Sequence, residues 1–90
     1  NLPVPKFGAI LFSMRIYESE IDAPCRVIAL NGEIEIIERL EEMGLSKGRA
    51  LQFIRRLPLG GPYIVQAGST FIALREEEAN CIEVERVVGQ

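Results

Sequence analysis

Two sets of side chains in this 90-residue chain have the types that chemistry needs: the thiols Cys25 and Cys81, and the carboxylates Glu76, Glu77 and Glu78. Thiolates and convergent carboxylates hold transition metals, but imidazole commonly completes such sites, and the sequence contains no histidine. The cysteines show no Cys-x-x-Cys spacing. One bridge between them stays open, although two free thiols in a reducing compartment is the better reading. Each opens a predicted strand, so pairing of the first and last strands would bring the thiols near one another. The plainer reading is two small, partly buried residues. The glutamate run lacks the spaced Asp and Gly of a calcium loop and reads as the solvated start of a short helix. Gly44, Gly48, Gly60 and Gly61 lie in turns without the Gly-Lys-Ser/Thr ending of a phosphate loop. Acid–base and triad chemistries lose their commonest member with histidine, and no other constellation replaces it. No catalytic residue, metal ligand or cofactor is expected.

Length and composition narrow the class. Ninety residues hold one core, and 48% hydrophobic with 26% charged residues is the balance of a soluble globular domain. A net charge of −3 lacks the electrostatic footprint of a nucleic-acid binder. Arg55 and Arg56, with Lys47 and Arg49, could form a local basic patch but read as solvated strand ends. The apolar run 7–12 is too short for a membrane span, which takes about twenty residues, so no membrane insertion and a cytoplasmic location are expected. Residues 1–24 read as an N-terminal leader. Within it Met14 reads as a candidate natural initiator, with residues 1–13 then expected to be an appended segment. The uncharged run 7–12 is expected to be disordered in the monomer or paired as an added strand with another chain, which leaves weak self-association open.

The elements follow from residue periodicity. Cys25, Arg26, Val27, Ile28, Ala29 and Leu30 form a first strand, ended by Asn31-Gly32. A helix over about 33–43 follows, with Asn31 as N-terminal cap and Gly44 as left-handed C-terminal cap. Ile36, Ile37, Leu40 and Met43 fall on its apolar side, and Glu35, Glu38, Arg39 and Glu42 on its wet side. Leu51 and Phe53 alternate with Ala50 and Gln52 in a second strand that stops at Pro58. Two more strands, 63–67 and 70–75, meet at Gly68-Ser69, a Gly-first link suited to a type II′ turn. A single helical turn over 76–80 and a strand over 81–87 complete the chain. Five short strands in so small a chain must cover their edges, which predicts a mainly β fold, a five-stranded SH3-like barrel with one α-helix between strands 1 and 2.

Arg39-Leu40, Met43-Gly44-Leu45, Gly48, Pro58 to Pro62, Gly68, Ala73-Leu74, Ala79, Ile82 and Val84 together resemble the pattern of the ferrous-iron transport protein A (FeoA) family. The resemblance runs from about Arg26 to Val87, within a domain set at residues 25–88. The Gly-Leu-x-x-Gly turn and the Pro-x-Gly-Gly-Pro connection carry most of it. It implies an SH3-like barrel, a cytoplasmic accessory role without catalysis, and a membrane ferrous-iron transporter of the B type, with a cytosolic GTPase domain, as partner. The same barrel resembles the C-terminal domain of iron-dependent DtxR-type repressors, so a metal-responsive regulatory module is the alternative.

Residues 58–62 are the expected partner surface, with Leu45 and Gly48 in the turn taken to adjoin them. Pro58, Gly60, Gly61 and Pro62 flank Leu59, a large apolar residue at what should be an exposed tip. Leu59 either contacts the partner or folds back to cap the core. The wet face of the helix is the next candidate.

Overall fold

Burial with a period of two sets the sheet: Leu51 and Phe53, then Tyr63, Val65 and Ala67, then Ile82 and Val84 are buried while the other residues of the same strands are not. The computed structural model describes residues 13–87, so the expectations for residues 7–12 lie outside the described residues. Among the described residues there are six strands: β1 Met14–Arg15, β2 Pro24–Leu30, β3 Ala50–Arg56, β4 Tyr63–Ala67, β5 Thr70–Leu74 and β6 Ile82–Arg86. A 3-10 turn, Ile16–Glu18, follows β1; helix α1, Ile34–Glu42, follows β2; helix α2, Glu76–Ala79, precedes β6. All strand pairs are antiparallel, in the order β1-β6-β2-β3-β4-β5.

This is the SH3-like small β fold with two corrections to the expected barrel. Six strands replace five, so the helix follows the second strand, and the sheet is not closed by a hydrogen-bonded pair between its edges. The additional strand is β1, whose Met14 and Arg15 pair with Val84 and Glu83. It lies in the segment read as leader, and Ile16 directly after it is 0% exposed, so the folded unit begins before Cys25. A two-residue strand has no periodicity to read; only its distant partner defines it.

A flat sheet would hold β5 and β6 four strands apart, about 19 Å. The connection 75–81 joins them through α2, whose Glu78 and Ala79 are buried. Glu78 therefore departs from the expected solvated helix start. Its two carboxylate oxygens accept from the Arg75 backbone N–H at 2.8 Å and from the Arg39 guanidinium at 3.2 Å, which ties α2 to α1. A buried carboxylate is tolerated when both oxygens are satisfied in this way.

Helix α1 ends as expected and begins differently. The Gly44 N–H donates to Glu41 and the Leu45 N–H to Leu40, both at 2.9 Å, and Gly44 has φ +85°. With Leu40 and Leu45 both buried, this is a Schellman motif with its apolar contact. Glu33 occupies the N-cap without a side-chain bond, whereas the Asn31 amide donates to Glu83 at 3.0 Å. Met43 is exposed beyond the helix end, and Leu40 is the buried residue of α1.

Cys25 and Cys81 are both buried and free. The strands that they open, β2 and β6, do pair, but antiparallel, so the opening ends lie at opposite ends of the pair: Cys25 faces Arg86, and Ile82, next to Cys81, faces Leu30. A bridge needs Cα atoms within about 7 Å, which this register forbids. Burial raises the Cys25 thiol from 9.0 to about 11, offset in part by Ser19, and its Sγ–H donates to the Leu51 carbonyl at 3.4 Å. Burial, then Glu33, also raises Cys81.

Two predictions follow from the buried thiols. Because the folded state holds the Cys25 proton more tightly than the unfolded state, its contribution is constant below pH 9 and falls between pH 9 and about 11. The slope is up to about 1.4 kcal/mol per pH unit. Urea unfolding across that window should show a shallower decline in Cys25→Ala than in the parent; equal slopes would contradict the assignment. The second concerns Gly32, at φ +146°, where an added Cβ would stand 2.5 Å from Cys81 Sγ. Gly32→Ala is expected to cost about 1 to 3 kcal/mol, with part regained when Cys81→Ala is added. Strictly additive losses would show that the thiol is not the obstacle.

Candidate partner-binding loop

Between β3 and β4 the chain turns through Pro58, Leu59, Gly60 and Gly61. The Gly61 N–H donates to the Pro58 carbonyl at 3.2 Å, and the two central residues have positive φ, +61° for Leu59 and +71° for Gly60. Positive φ at both centres makes this a type I′ turn, in which the first centre normally suits Gly, Asn or Asp. A leucine there is strained by about 1 to 2 kcal/mol. Leu59 is also fully exposed, at 103% of its reference area, so it does not cap the core. Below the turn, the Leu57 N–H donates to the Pro62 carbonyl at 2.9 Å.

Arg56 braces this loop from its N-terminal side. Its Nε–H donates to the Gly61 carbonyl at 3.2 Å and its Nη2 to Glu76 Oε1 at 3.3 Å, while the guanidinium lies 4.6 Å from the Tyr63 ring centre. Tyr63 stacks on Tyr17 at 5.2 Å, and the Tyr17 hydroxyl donates to Asn80 at 2.7 Å. Beside the loop runs an open groove of about 600 Å³, floored by Gly60, Gly61, Pro62 and Ala73 and rimmed by Arg75, Glu76 and Glu77. A second hollow, of about 360 Å³ around Arg15, Tyr17 and Glu18, is lined mainly by polar atoms. An apolar tip beside a small-residue groove with a charged rim can seat against a protein surface, giving and receiving side chains.

The residues expected at the partner surface separate into two groups. Pro58, Leu59, Gly60, Gly61 and Pro62 form the one continuous loop just described. Leu45 is 0% exposed and packs in the core, so it has no side chain to offer a partner. Gly48 is exposed, but it precedes β3 while the loop follows it, so the two lie at opposite ends of a strand about 20 Å long rather than adjoining. The Gly48 N–H instead donates to Val27, as part of the β2–β3 connection. Among the described residues no three His, Cys, Asp or Glu side chains converge on one point. Among them no helix is long and apolar enough to cross a membrane. Arg56 and the groove-forming Ala73 were not singled out as site residues. The signal for Arg56 was present, since Arg56 and Tyr63 close the loop as cross-strand partners.

A search of curated proteins finds no match. Among solved structures, the chain is similar to the solution structure of iron(II) transport protein A from Clostridium thermocellum, with 34% identity and a TM-score of 0.74 over 82% of this chain and 46% of that one. It thus spans less than half of that protein. The solution structure of the FeoA protein from Chlorobium tepidum has 28% identity and a TM-score of 0.75, over 86% of this chain and 73% of that one. The manganese-activated repressor ScaR, in its apo form, has 19% identity and a TM-score of 0.72 over 82% of this chain and 35% of that one, a likeness of fold alone. The family model of the FeoA domain matches residues 14–86, from the first residue of β1 to the last of β6, and the chain belongs to the FeoA family.

Proposed function

We propose that this protein is a non-catalytic accessory of ferrous-iron transport that binds the cytosolic part of a B-type, GTPase-containing membrane transporter through the loop 58–62. Leu59 is the anchor. The observation that carries the reading is that a large apolar side chain is held wholly in water in a backbone conformation that disfavours it. Such strain persists where the surroundings enforce it, and its usual setting is a functional surface. Prolines on either side and the turn hydrogen bond reduce the ordering entropy lost on binding. Family membership, together with the similarity to an iron(II) transport protein, supports iron transport as the setting. A cytoplasmic location follows from that partner.

The second reading, a metal-responsive regulatory module, draws on the fold likeness to ScaR. The donor set favours it less: the sequence has no histidine, and its two thiols stand at opposite ends of β2 and β6.

Leu59→Asp tests the proposal. Its unfolding free energy should change by less than about 1 kcal/mol, because the side chain has no core contacts to lose. Affinity for the purified cytosolic portion of the transporter should fall about thirtyfold or more, as for an interface hot spot, with a parallel loss of ferrous-iron uptake. Retained binding and uptake in a folded variant would move the contact to the wet face of α1, Glu35, Glu38, Arg39 and Glu42. Recovery of a metal-dependent DNA-binding partner in place of the transporter, in pull-downs from cytosol and membrane, would favour the second reading.

A further inference from the structure

We infer that Arg56 is the positioning residue of the contact loop: its guanidinium fixes the direction in which Leu59 is presented, and so sets the affinity of the contact. This rests on the loop 58–62 being the contact surface. The two backbone bonds, Leu57 to Pro62 and Gly61 to Pro58, are internal to the hairpin end. They fix the shape of the turn and leave its tilt against the rest of the molecule free. Arg56 supplies what they do not. One planar group bonds the loop at the Gly61 carbonyl, bonds α2 at Glu76, and lies over Tyr63, which is itself buried and stacked on Tyr17. Among the described residues no other side chain hydrogen-bonds to the loop backbone.

The same three contacts explain why an arginine stands here. A planar fork donates to two acceptors in different directions while its face stays on an aromatic ring. A lysine ammonium keeps the charge but not this combined geometry. Loosening the loop would leave Leu59 exposed and would raise the ordering entropy that binding must overcome.

The test is read first in the free protein, by backbone amide relaxation at Leu59 and Gly60. Order parameters should lie near 0.85, roughly the rigid value, in the parent and drop below about 0.6 in Arg56→Ala. Arg56→Lys, which keeps the charge near Glu76 and Tyr63, should loosen the loop as well and serves if the alanine variant does not fold. Affinity for the transporter's cytosolic portion should fall about tenfold in either variant. Combined with Leu59→Asp, neither should lower the affinity further than Leu59→Asp alone, since Arg56 acts through Leu59. Unchanged loop order in both variants, or affinity losses that add in full, would overturn the inference. The relaxation result needs no partner, so it stands or falls apart from the contact itself, which Leu59→Asp alone decides.

Discussion

The antiparallel pairing of β2 with β6 is the constraint on which the remaining structure depends. Val27 against Val84 in the core, and half-buried Leu30 against buried Ile82 at its margin, join distant parts of the chain. Because α1 leaves just after Leu30 and α2 arrives just before Ile82, that register brings the two helices to one end, where Arg39 meets Glu78. It also gives β1 an edge to join, which buries Ile16. From α2 the connection continues through Glu76 to Arg56 and the loop. The loop that carries the exposed leucine is thus linked, through α2 and the Glu76–Arg56 ion pair, to a pairing formed elsewhere in the sheet.

A core this small leaves little apolar surface to spare, since a chain of this size buries only about two-thirds of its unfolded surface. Against that background a leucine placed wholly in solvent, at φ +61°, works against folding in two ways: it buries nothing, and it occupies a strained backbone well. Phe71, on edge strand β5, is 62% exposed as well, but its backbone is ordinary extended strand. A singly exposed apolar residue needs no function. The combination of exposure with strain and a dedicated brace is what separates Leu59 from Phe71.

Local chemistry was legible in the sequence where one short stretch decides the outcome. Gly44 announced the end of α1, Gly68-Ser69 the tight hairpin, and the Pro and Gly content of 58–62 a break between two strands, because backbone preferences at those residues are strong. Long-range consequences were not legible. β1 is two residues defined by a partner far along the chain, the burial of Glu78 depends on Arg39, and the separation of the thiols depends on strand direction. Leu45 misled for a related reason: its Gly-Leu turn looks like surface, yet the Schellman geometry returns the side chain to Leu40 and the core. Likewise Gly48 is near the loop in the turn pattern and a full strand away in space.

If the leucine at position 59 is kept for contact, it is kept at a cost to stability. Leu59→Asn measures both halves at once, because asparagine tolerates the left-handed conformation and offers no apolar surface. Unfolding free energy and transporter affinity are to be determined on the same preparation. Stability should be unchanged or raised by up to about 1 kcal/mol, with binding lost, if strain and contact both reside in Leu59. A variant that is less stable and still binds would contradict that assignment.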